Sequence, residues 1–543
     1  MNKRTLSTKR HAPPALAVFA LLLLSLATLS CEDEGKRDAE ALLAAFCNTL
    51  LEPAATDIRH LANLRFGAES IDNFSAFAAD AEGSLIVAGS FRSRVSLAGM
   101  DYTSPANPNT GSCGGGIQSA GCFQDQAFIA KLSPDLGFLW VRPLDFSRVD
   151  GLEVAEDGSV FARVLENSLL KLSASGEVLW TTPMTSTGTQ LTLESLTHYG
   201  SEIYLAGSLF PSSGASCSPA DLPANHRFSF GDAQIPLSDC RTLPVILRVD
   251  AASGTPMTAR SPGNVGGRIV ELKKQSAGLV AVGLFSEGAV LGSLTLSVPT
   301  AGPQIVYGGA LLKLTPALDV SWARAIPLPD AANLNGGFGQ SFSASIVPRE
   351  LDDGFYLVGR SSYPLNFDGQ QVENASGYVF RFDASGTASW GRPLVAEDTM
   401  TTLPGSGSDV TLVDASVRPV RGRMCDGVLT LRRSTSVENG ETKTRTWLNS
   451  FDGEGTPSKT QMLVDGSAFF PVDAIVLPSG LYLGGSLGPT FYIDNMASSS
   501  MSADFGGSTQ TSLGWTDGVV SRYAFAARGA FFRGRASQFP GAR

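Results

Sequence analysis

Residues 378–390 read YVFRFDASGTASW, and this stretch decides the fold. An apolar run containing Arg381 ends at Asp383, the turn residues Ala-Ser-Gly follow, and a second short run ends in Trp390. Turn residues between two short apolar runs predict a tight pair of β-strands. The first run recurs as FIAKLS at 128–133, SLLKLS at 168–173, VILRVD at 245–250, ALLKLT at 310–315, TWLNSFD at 446–452 and VVSRYA at 519–524.

Two positions of this pair recur with few exceptions. The basic position is Lys131, Lys171, Arg248, Lys313, Arg381 and Arg522, with Ser450 in the remaining copy. The aromatic position is Trp140, Trp180, Trp322 and Trp390, replaced by Thr258 and Lys459 in two copies. We interpret the basic residues as structural pairings or snorkelling side chains, and the tryptophans as packing between units.

A second element, an apolar strand that often ends in glycine, precedes each pair. Its seven copies are SLIVAG after Gly83, SVFARV after Gly158, EIYLAG after Ser201, LVAVG after Gly278, FYLVG after Gly354, VLTLRR after Gly427 and LYLGG after Gly480. With one strand before it, such as SAFAAD at 75–80, each unit contains four strands, which we name A, B, C and D.

Seven four-stranded sheets predict an all-β chain folded as a seven-bladed β-propeller of antiparallel blades. Composition agrees, because 58 Gly and 30 Pro are spread along a chain that is 43% hydrophobic and 17% charged. An array of β-sandwich modules is the alternative, but a sandwich needs about 100 residues and these units are shorter. Segment LANLRF, which begins at Leu61, resembles a D strand, and we predict that it closes the ring beside AFFRGR at 530–535.

The pattern resembles the bacterial β-propeller repeat called SBBP, over roughly residues 61–533. The resemblance implies an exported protein and no particular activity. Blade 2, at residues 146–184, is short, and blade 6 lacks both the B-strand glycine and the tryptophan. We expect the propeller to span residues 61–535, followed by a tail at 536–543.

The N-terminus reads as an export signal. Four basic residues, Lys3, Arg4, Lys9 and Arg10, precede an apolar run over 15–29 that is short for a membrane span. Ser30-Cys31 resembles the lipobox of bacterial lipoproteins, which implies cleavage of residues 1–30, lipid such as palmitate on Cys31, and anchoring to the outer membrane of a bacterial cell envelope. An ordinary signal peptide is the alternative. Residues 31–60 would form a tether with a short helix over 38–51, where apolar residues recur at helical spacing.

Seven cysteines in an exported chain predict disulfides. Cys113 with Cys122 and Cys217 with Cys240 bracket loops and are the economical pairs. Cys47 and Cys425 are either buried thiols or one long-range bridge.

Strand parity brings the long B–C connections, at about 92–125, 210–243, 286–308, 361–376 and 487–516, to one rim, where some could contain an extra hairpin. His226 lies in one of them and is the single loop residue that we name as a candidate to face a ligand, the alternative being a solvated loop histidine. We interpret Asp352-Asp353-Gly354 and Asp452-Gly453-Glu454-Gly455 as turns and His198 as a packing residue.

The sequence contains no catalytic, metal or cofactor motif. A net charge of −10 without concentrated Lys or Arg argues against nucleic acid. The leading hypothesis is a non-catalytic, lipid-anchored module that binds an envelope protein or a glycan through the B–C loops. The alternatives are an envelope assembly factor or an enzyme, because DASG-x-x-x-W at 383–390 also resembles the repeat of quinoprotein propellers, some of which bind pyrroloquinoline quinone.

Overall fold

A computed structural model describes residues 58–525, and all regular structure within them is β-strand. No helix in this part of the chain is long and apolar enough to cross a membrane. The expected signal peptide, helical tether and C-terminal tail lie outside the described residues. The range is interrupted at 68–71, 107–122, 166, 185, 188, 212–226, 237–241, 264–265, 298–306, 328–341, 350–351, 362, 374–376, 395–411, 420, 423–426, 439–440, 467–468, 478, 489–501 and 513–515.

The strands form seven antiparallel sheets, which confirms the seven-bladed β-propeller. The first strand, β1 (Ile58–Phe66), belongs to the last blade. Blade 1 consists of β2 (Asp72–Ala79), β3 (Leu85–Arg92), β6 (Asp125–Leu132) and β7 (Phe138–Pro143). Blade 2 consists of β8 (Val149–Val154), β9 (Val160–Val164), β10 (Ser168–Leu172) and β11 (Val178–Pro183). Blade 3 consists of β13 (Thr189–Tyr199), β14 (Glu202–Pro211), β17 (Leu243–Asp250) and β18 (Pro256–Arg260).

The remaining blades repeat the same order of A, B, C and D strands. Blade 4 consists of β19 (Gly267–Gln275), β20 (Gly278–Ser286), β23 (Tyr307–Leu314) and β24 (Val320–Ile326). Blade 5 consists of β25 (Phe342–Pro348), β26 (Phe355–Ser361), β29 (Tyr378–Phe382) and β30 (Ala388–Pro393). Blade 6 consists of β31 (Leu412–Pro419), β33 (Gly427–Glu438), β34 (Glu441–Asp452) and β35 (Pro457–Asp465). Blade 7 consists of β36 (Phe469–Leu477), β37 (Gly480–Leu487), β40 (Asp517–Phe525) and β1.

The ring closes by joining the two ends of the described chain in blade 7. Strand β1 supplies strand D and pairs with β40 from Ile58 opposite Phe525 to Phe66 opposite Gly518. The expected D-strand role of this segment is therefore confirmed. Among the described residues its partner is 517–525, and the segment 530–535, beside which we predicted it, lies outside the described residues. This closure removes an exposed strand edge.

Five B–C connections each contain an additional hairpin, which we call a seam hairpin. The five are β4 (Arg94–Leu97) with β5 (Met100–Thr103), β15 (Arg227–Phe230) with β16 (Ala233–Pro236), β21 (Val290–Leu291) with β22 (Leu294–Thr295), β27 (Leu365–Phe367) with β28 (Gln370–Val372), and β38 (Ser502–Asp504) with β39 (Thr509–Thr511). Two short strands complete the set. Strand β12 (Ser186–Thr187) pairs with β15, and β32 (Arg421–Gly422) pairs with β36.

The core lies between consecutive blades, in layers that we call seams and number by the two blades. Central strands are buried on both sides, which explains their continuous apolar sequences. Strand β20, for example, is buried along its whole length. Each seam hairpin packs its apolar side chains into the seam that precedes its own blade. Phe228 and Phe230 lie in seam 2/3, and Leu365 and Phe367 lie in seam 4/5.

The glycine that ends strand B permits close approach of strand A. Strand A of blade 1 bulges at Ser75, between the pairs Phe74 with Gly89 and Ala76 with Ala88. A Cβ on Gly89 would lie 2.5 Å from Asn73 O. The carbonyl of strand A therefore occupies the space that any larger residue would need.

Candidate functional site

The A–B and C–D turns form one face of the ring, which we call the short-turn face, and this face is tied together by ion pairs. Lys131 Nζ lies 2.7 Å from Asp80 Oδ2, and Arg248 lies 2.6 Å from Glu202 Oε1. The other four basic residues of the repeat bind turns of their own blade or of the next blade. The contacts are Lys171 with Ala251 O, Lys313 with Gln275 and Asp353, Arg381 with Gly453 O, and Arg522 with Asp135 and Ser479 O. The basic series is therefore structural, as predicted.

Each repeat tryptophan binds the C–D turn of the following blade. Trp140 Nε1 donates to Ala174 O at 3.0 Å, and its ring lies against Gly176. Gly176 has a φ of 84°, and a Cβ there would lie 2.8 Å from the indole ring, so this turn requires glycine. The other contacts of this kind are Trp180 to Ala252 O, Trp322 to Ala384 O and Trp390 to Gly453 O. The predicted role of the tryptophans in packing between blades is confirmed.

The predicted turns and packing residues also behave as expected. Asp353 accepts a hydrogen bond from Ser276 N at 2.7 Å and faces Lys313. Burial alone would raise the pKa of Asp353, but the hydrogen bonds from Ser276 and the charge of Lys313 hold it below its usual value. His198 lies in β13 against the Phe161 ring, and burial lowers its pKa. Both side chains make contacts within the fold.

The B–C connections and D–A links form the opposite face, which we call the loop face. The prediction that all five long connections crowd this rim is wrong for their described parts, because the seam hairpins run down the outside of the ring. Asp368, at a hairpin tip, accepts a hydrogen bond from Ala388 N at 2.7 Å, at the short-turn end of strand D. Apolar side chains explain this course, since Leu365, Phe367 and Val372 are all at most 3% exposed. Extra hairpins were expected in some connections, and all five have one.

A cavity of about 530 Å3 opens on the loop face of blade 1. Its volume falls within the roughly 300–1,000 Å3 range of small-molecule sites. At its wall, Arg92 makes a bidentate pair with Asp125, with Nε to Oδ1 at 2.8 Å and a second bond of 2.9 Å. The lining residues are Arg92, Pro105, Phe123, Gln124, Asp125, Gln126, Leu144, Asp145, Phe146 and Ser147. The cavity therefore offers both aromatic surface and charged hydrogen-bonding groups.

A buried arginine lies where the A strands of blades 2 and 3 meet. Arg163 donates to the carbonyls of Leu193 and Asp150, and its guanidinium lies 3.8 Å from the Asp150 carboxylate. Burial lowers the pKa of Arg163, while the carboxylates of Asp150 and Glu194 oppose that shift. An arginine remains charged in proteins. The Arg163 guanidinium is therefore a permanent positive charge between the two A strands, and it holds blade 2 to blade 3.

The structure does not test most of the predicted site residues. Cys31, Cys113, Cys122, Cys217, Cys240 and His226 all lie outside the described residues, as do Cys47 and Cys425. Within the described ranges, no group of three or more His, Cys, Asp or Glu side chains could hold a metal ion. Sequence reasoning missed Arg92 at the end of β3, Asp125 at the start of β6 and Asp145 in the D–A link, because no residue of the repeat marks these positions.

Comparisons with known proteins show similarity at the level of architecture. No family model and no curated protein matches the chain. BamB from Moraxella catarrhalis is 9% identical, covering 86% of this chain and 100% of its own, with a TM-score of 0.36. The Dos1 propeller is 8% identical, covering 86% and 95%, with a TM-score of 0.38. Quinohemoprotein alcohol dehydrogenase from Comamonas testosteroni is 9% identical, covering 87% and 77%, with a TM-score of 0.37. Likeness this distant carries no argument about ligand, partner or reaction.

Proposed function

We infer that the chain is an exported, lipid-anchored propeller that binds an envelope protein or a glycan through its loop face without catalysing a reaction. The sequence features that support this are the lipobox-like Ser30-Cys31 and the resemblance to SBBP repeats. The structural observation that supports it best is the position of Ile58, opposite Phe525 at the short-turn end of blade 7.

This position supports one orientation of the ring relative to a lipid on Cys31. The 26 residues between Cys31 and Ile58 could extend at most about 90 Å and join the ring at the short-turn face. The loop face, with the cavity of blade 1, then points away from the membrane. Because the short-turn face is already held by ion pairs and tryptophan contacts, the loop face is the side that is left for a ligand.

The anchor is tested by substitution of Cys31. Cys31→Ser should move the protein from the membrane fraction to the soluble fraction and abolish incorporation of labelled palmitate. Cys47→Ser is the matched control and should do neither. A Cys31→Ser variant that remains in the membrane fraction and keeps its label would contradict the anchor.

The binding face is tested by a photo-cross-linking residue placed in intact cells. At Gln124, on the loop face, it should give a discrete adduct with an envelope protein or a glycan. At Ser385, in a C–D turn on the short-turn face, it should give none. Equal labelling from both sites, or adducts from Ser385 alone, would refute the choice of face.

A further inference from the structure

Seam hairpins fill five of the seven seams, and the described residues of seam 1/2 contain none. The filled seams hold a buried apolar pair each: Val95 and Leu97, Phe228 and Phe230, Ala289 and Leu291, Leu365 and Phe367, and Ala503 and Phe505. Blade 2 has only a short B–C turn, between Val164 and Ser168. The described residues therefore show five times what fits a seam, and seams 1/2 and 5/6 are the two without a hairpin.

An apolar side chain that is covered in seam 3/4 is exposed at the equivalent position of seam 1/2. Val178 begins strand D of blade 2 opposite Leu172, and Val320 occupies the same register in blade 4, opposite Leu314. Val320 packs in seam 3/4 beneath the tip of its hairpin, where a Cβ on Gly292 would lie 3.0 Å away. Val178 is 45% exposed.

An arginine beside this surface has the chemistry to hold an incoming carboxylate. In seam 4/5, Arg324 donates to Gly386 O and makes a bidentate pair with Asp368 of the hairpin. Arg142 stands at the same position of blade 1 and donates through Nε to Gly176 O at 2.9 Å. Among the described residues, no carboxylate lies within ion-pair distance of Arg142.

We propose that seam 1/2 is a docking site for an extended segment of a partner protein that carries two apolar residues at i and i+2 followed by an aspartate. The apolar pair covers Val178 and the aspartate pairs with Arg142. In seam 4/5, Leu365 and Phe367 are the corresponding apolar pair, and Asp368 pairs with Arg324. This inference is independent of the lipid anchor and of the loop-face partner.

The first test uses the chain's own hairpin as the probe. A fluorescent cyclic peptide of residues 363–373, YPLNFDGQQVE, should bind the full-length protein saturably, since cyclisation reduces the entropy lost on binding. Arg142→Gln should weaken binding about tenfold, the loss expected for one charge-assisted pair. Arg260→Gln, on strand D beside the filled seam 3/4, is the matched control and should leave binding unchanged.

A double-mutant cycle shows whether the aspartate meets Arg142. Replacing the peptide aspartate, Asp368→Asn, should weaken binding to the wild-type protein about tenfold and have little further effect on Arg142→Gln. Absence of saturable binding at millimolar peptide overturns the proposal, and so does binding that is insensitive to both changes. Concentration-dependent dimers that the peptide dissociates would overturn the proposal and assign the surface to a second copy of this chain.

Filling the seam gives a second, independent test. Residues 363–373 inserted between Glu166 and Asn167 should occupy seam 1/2 and abolish peptide binding. A Gly-Ser insertion of equal length should leave binding intact. Undiminished peptide binding to the filled variant overturns the proposal. If that variant does not fold, the double-mutant cycle of Arg142→Gln with the peptide Asp368→Asn tests the proposal by itself.

Discussion

Replacing Gly89 by alanine should destabilise the propeller more than replacing the nearby Gly83. The two glycines of blade 1 distinguish two physical reasons for the turn-and-strand pattern that recurs between blades. Gly83 has a φ of 81° and open space around its missing Cβ, whereas Gly89 lies outside the left-handed region but faces Asn73 O and the Phe128 ring. Gly83→Ala therefore measures backbone strain, and Gly89→Ala measures close approach of two strands.

The expected loss of stability for Gly89→Ala follows from the distance by which the new Cβ must move away from Asn73 O. A Cβ at 2.5 Å from Asn73 O must move to at least 3.4 Å, the ordinary contact distance, so β2 and β3 must separate by about 1 Å. A separation of that size stretches the neighbouring N–H···O bonds beyond bonding distance, and each is worth about 0.5–1.5 kcal/mol. With overpacking against Phe128, we expect a loss of about 3 kcal/mol or more. Gly83→Ala should cost about 1–2 kcal/mol from its left-handed backbone alone.

The comparison is made by urea denaturation followed by tryptophan fluorescence, with hydrogen exchange measured across Asp72–Ala79. Gly89→Ala should lower the midpoint more than Gly83→Ala and speed exchange in β2, while Gly83→Ala should leave exchange in β2 close to that of the wild type. If Gly89→Ala costs no more than Gly83→Ala, the carbonyl of Asn73 does not explain the glycine, and the recurring B-strand glycine needs another cause.

Three further outcomes test the seams around blade 5. Trp322→Phe should lose about 1 kcal/mol, because the Nε1 bond to Ala384 O disappears while most of the ring packing remains, and thermal melting checks this. Phe367→Ala should cost about 3–5 kcal/mol, measured by urea denaturation, because the side chain is 3% exposed; a loss below 1 kcal/mol would show that seam hairpins are dispensable to the fold. The bond from Arg324 holds the pKa of Asp368 below its usual value, so the stability that this pair contributes is present above the unfolded pKa and is lost as pH falls through the folded one. Asp368→Asn should therefore flatten the fall in melting temperature below about pH 4, and an unchanged pH profile would contradict the pairing.

The sequence predicted the architecture because each repeated residue performs the same packing task in several blades. A tryptophan that contacts the next blade's glycine turn, or a lysine that binds a turn aspartate, therefore recurs at similar intervals along the sequence. Trp140 and Trp322 lie 182 positions apart and make equivalent contacts. Periodicity of this kind is sufficient to predict blade number, strand order and the D-strand role of β1.

The course of the long connections could not be predicted from their length alone. The relevant signal was present, because each seam hairpin carries an apolar-x-apolar pair before its turn: VSLAG at 95–99, FSFGD at 228–232, AVLGS at 289–293, LNFDG at 365–369 and ADFGG at 503–507. Segments of variable length separate these pairs from the blade strands, so they have no fixed period. Only the packed seams show that the pairs are buried and that the connections do not crowd one rim.

Blade 2 shows why departures from a repeat are informative about function. Val164 replaces the B-strand glycine, and Arg163, one position earlier, pairs with Gly151 of strand A. The arginine then extends to Leu193 O and strengthens seam 2/3, while the short B–C turn removes the hairpin that would cover Val178 in seam 1/2. One side of the blade is held more firmly, and the other side keeps apolar surface beside an arginine. In a ring where repeated residues are used for packing, a ligand site is best sought where the repeat is broken in this way.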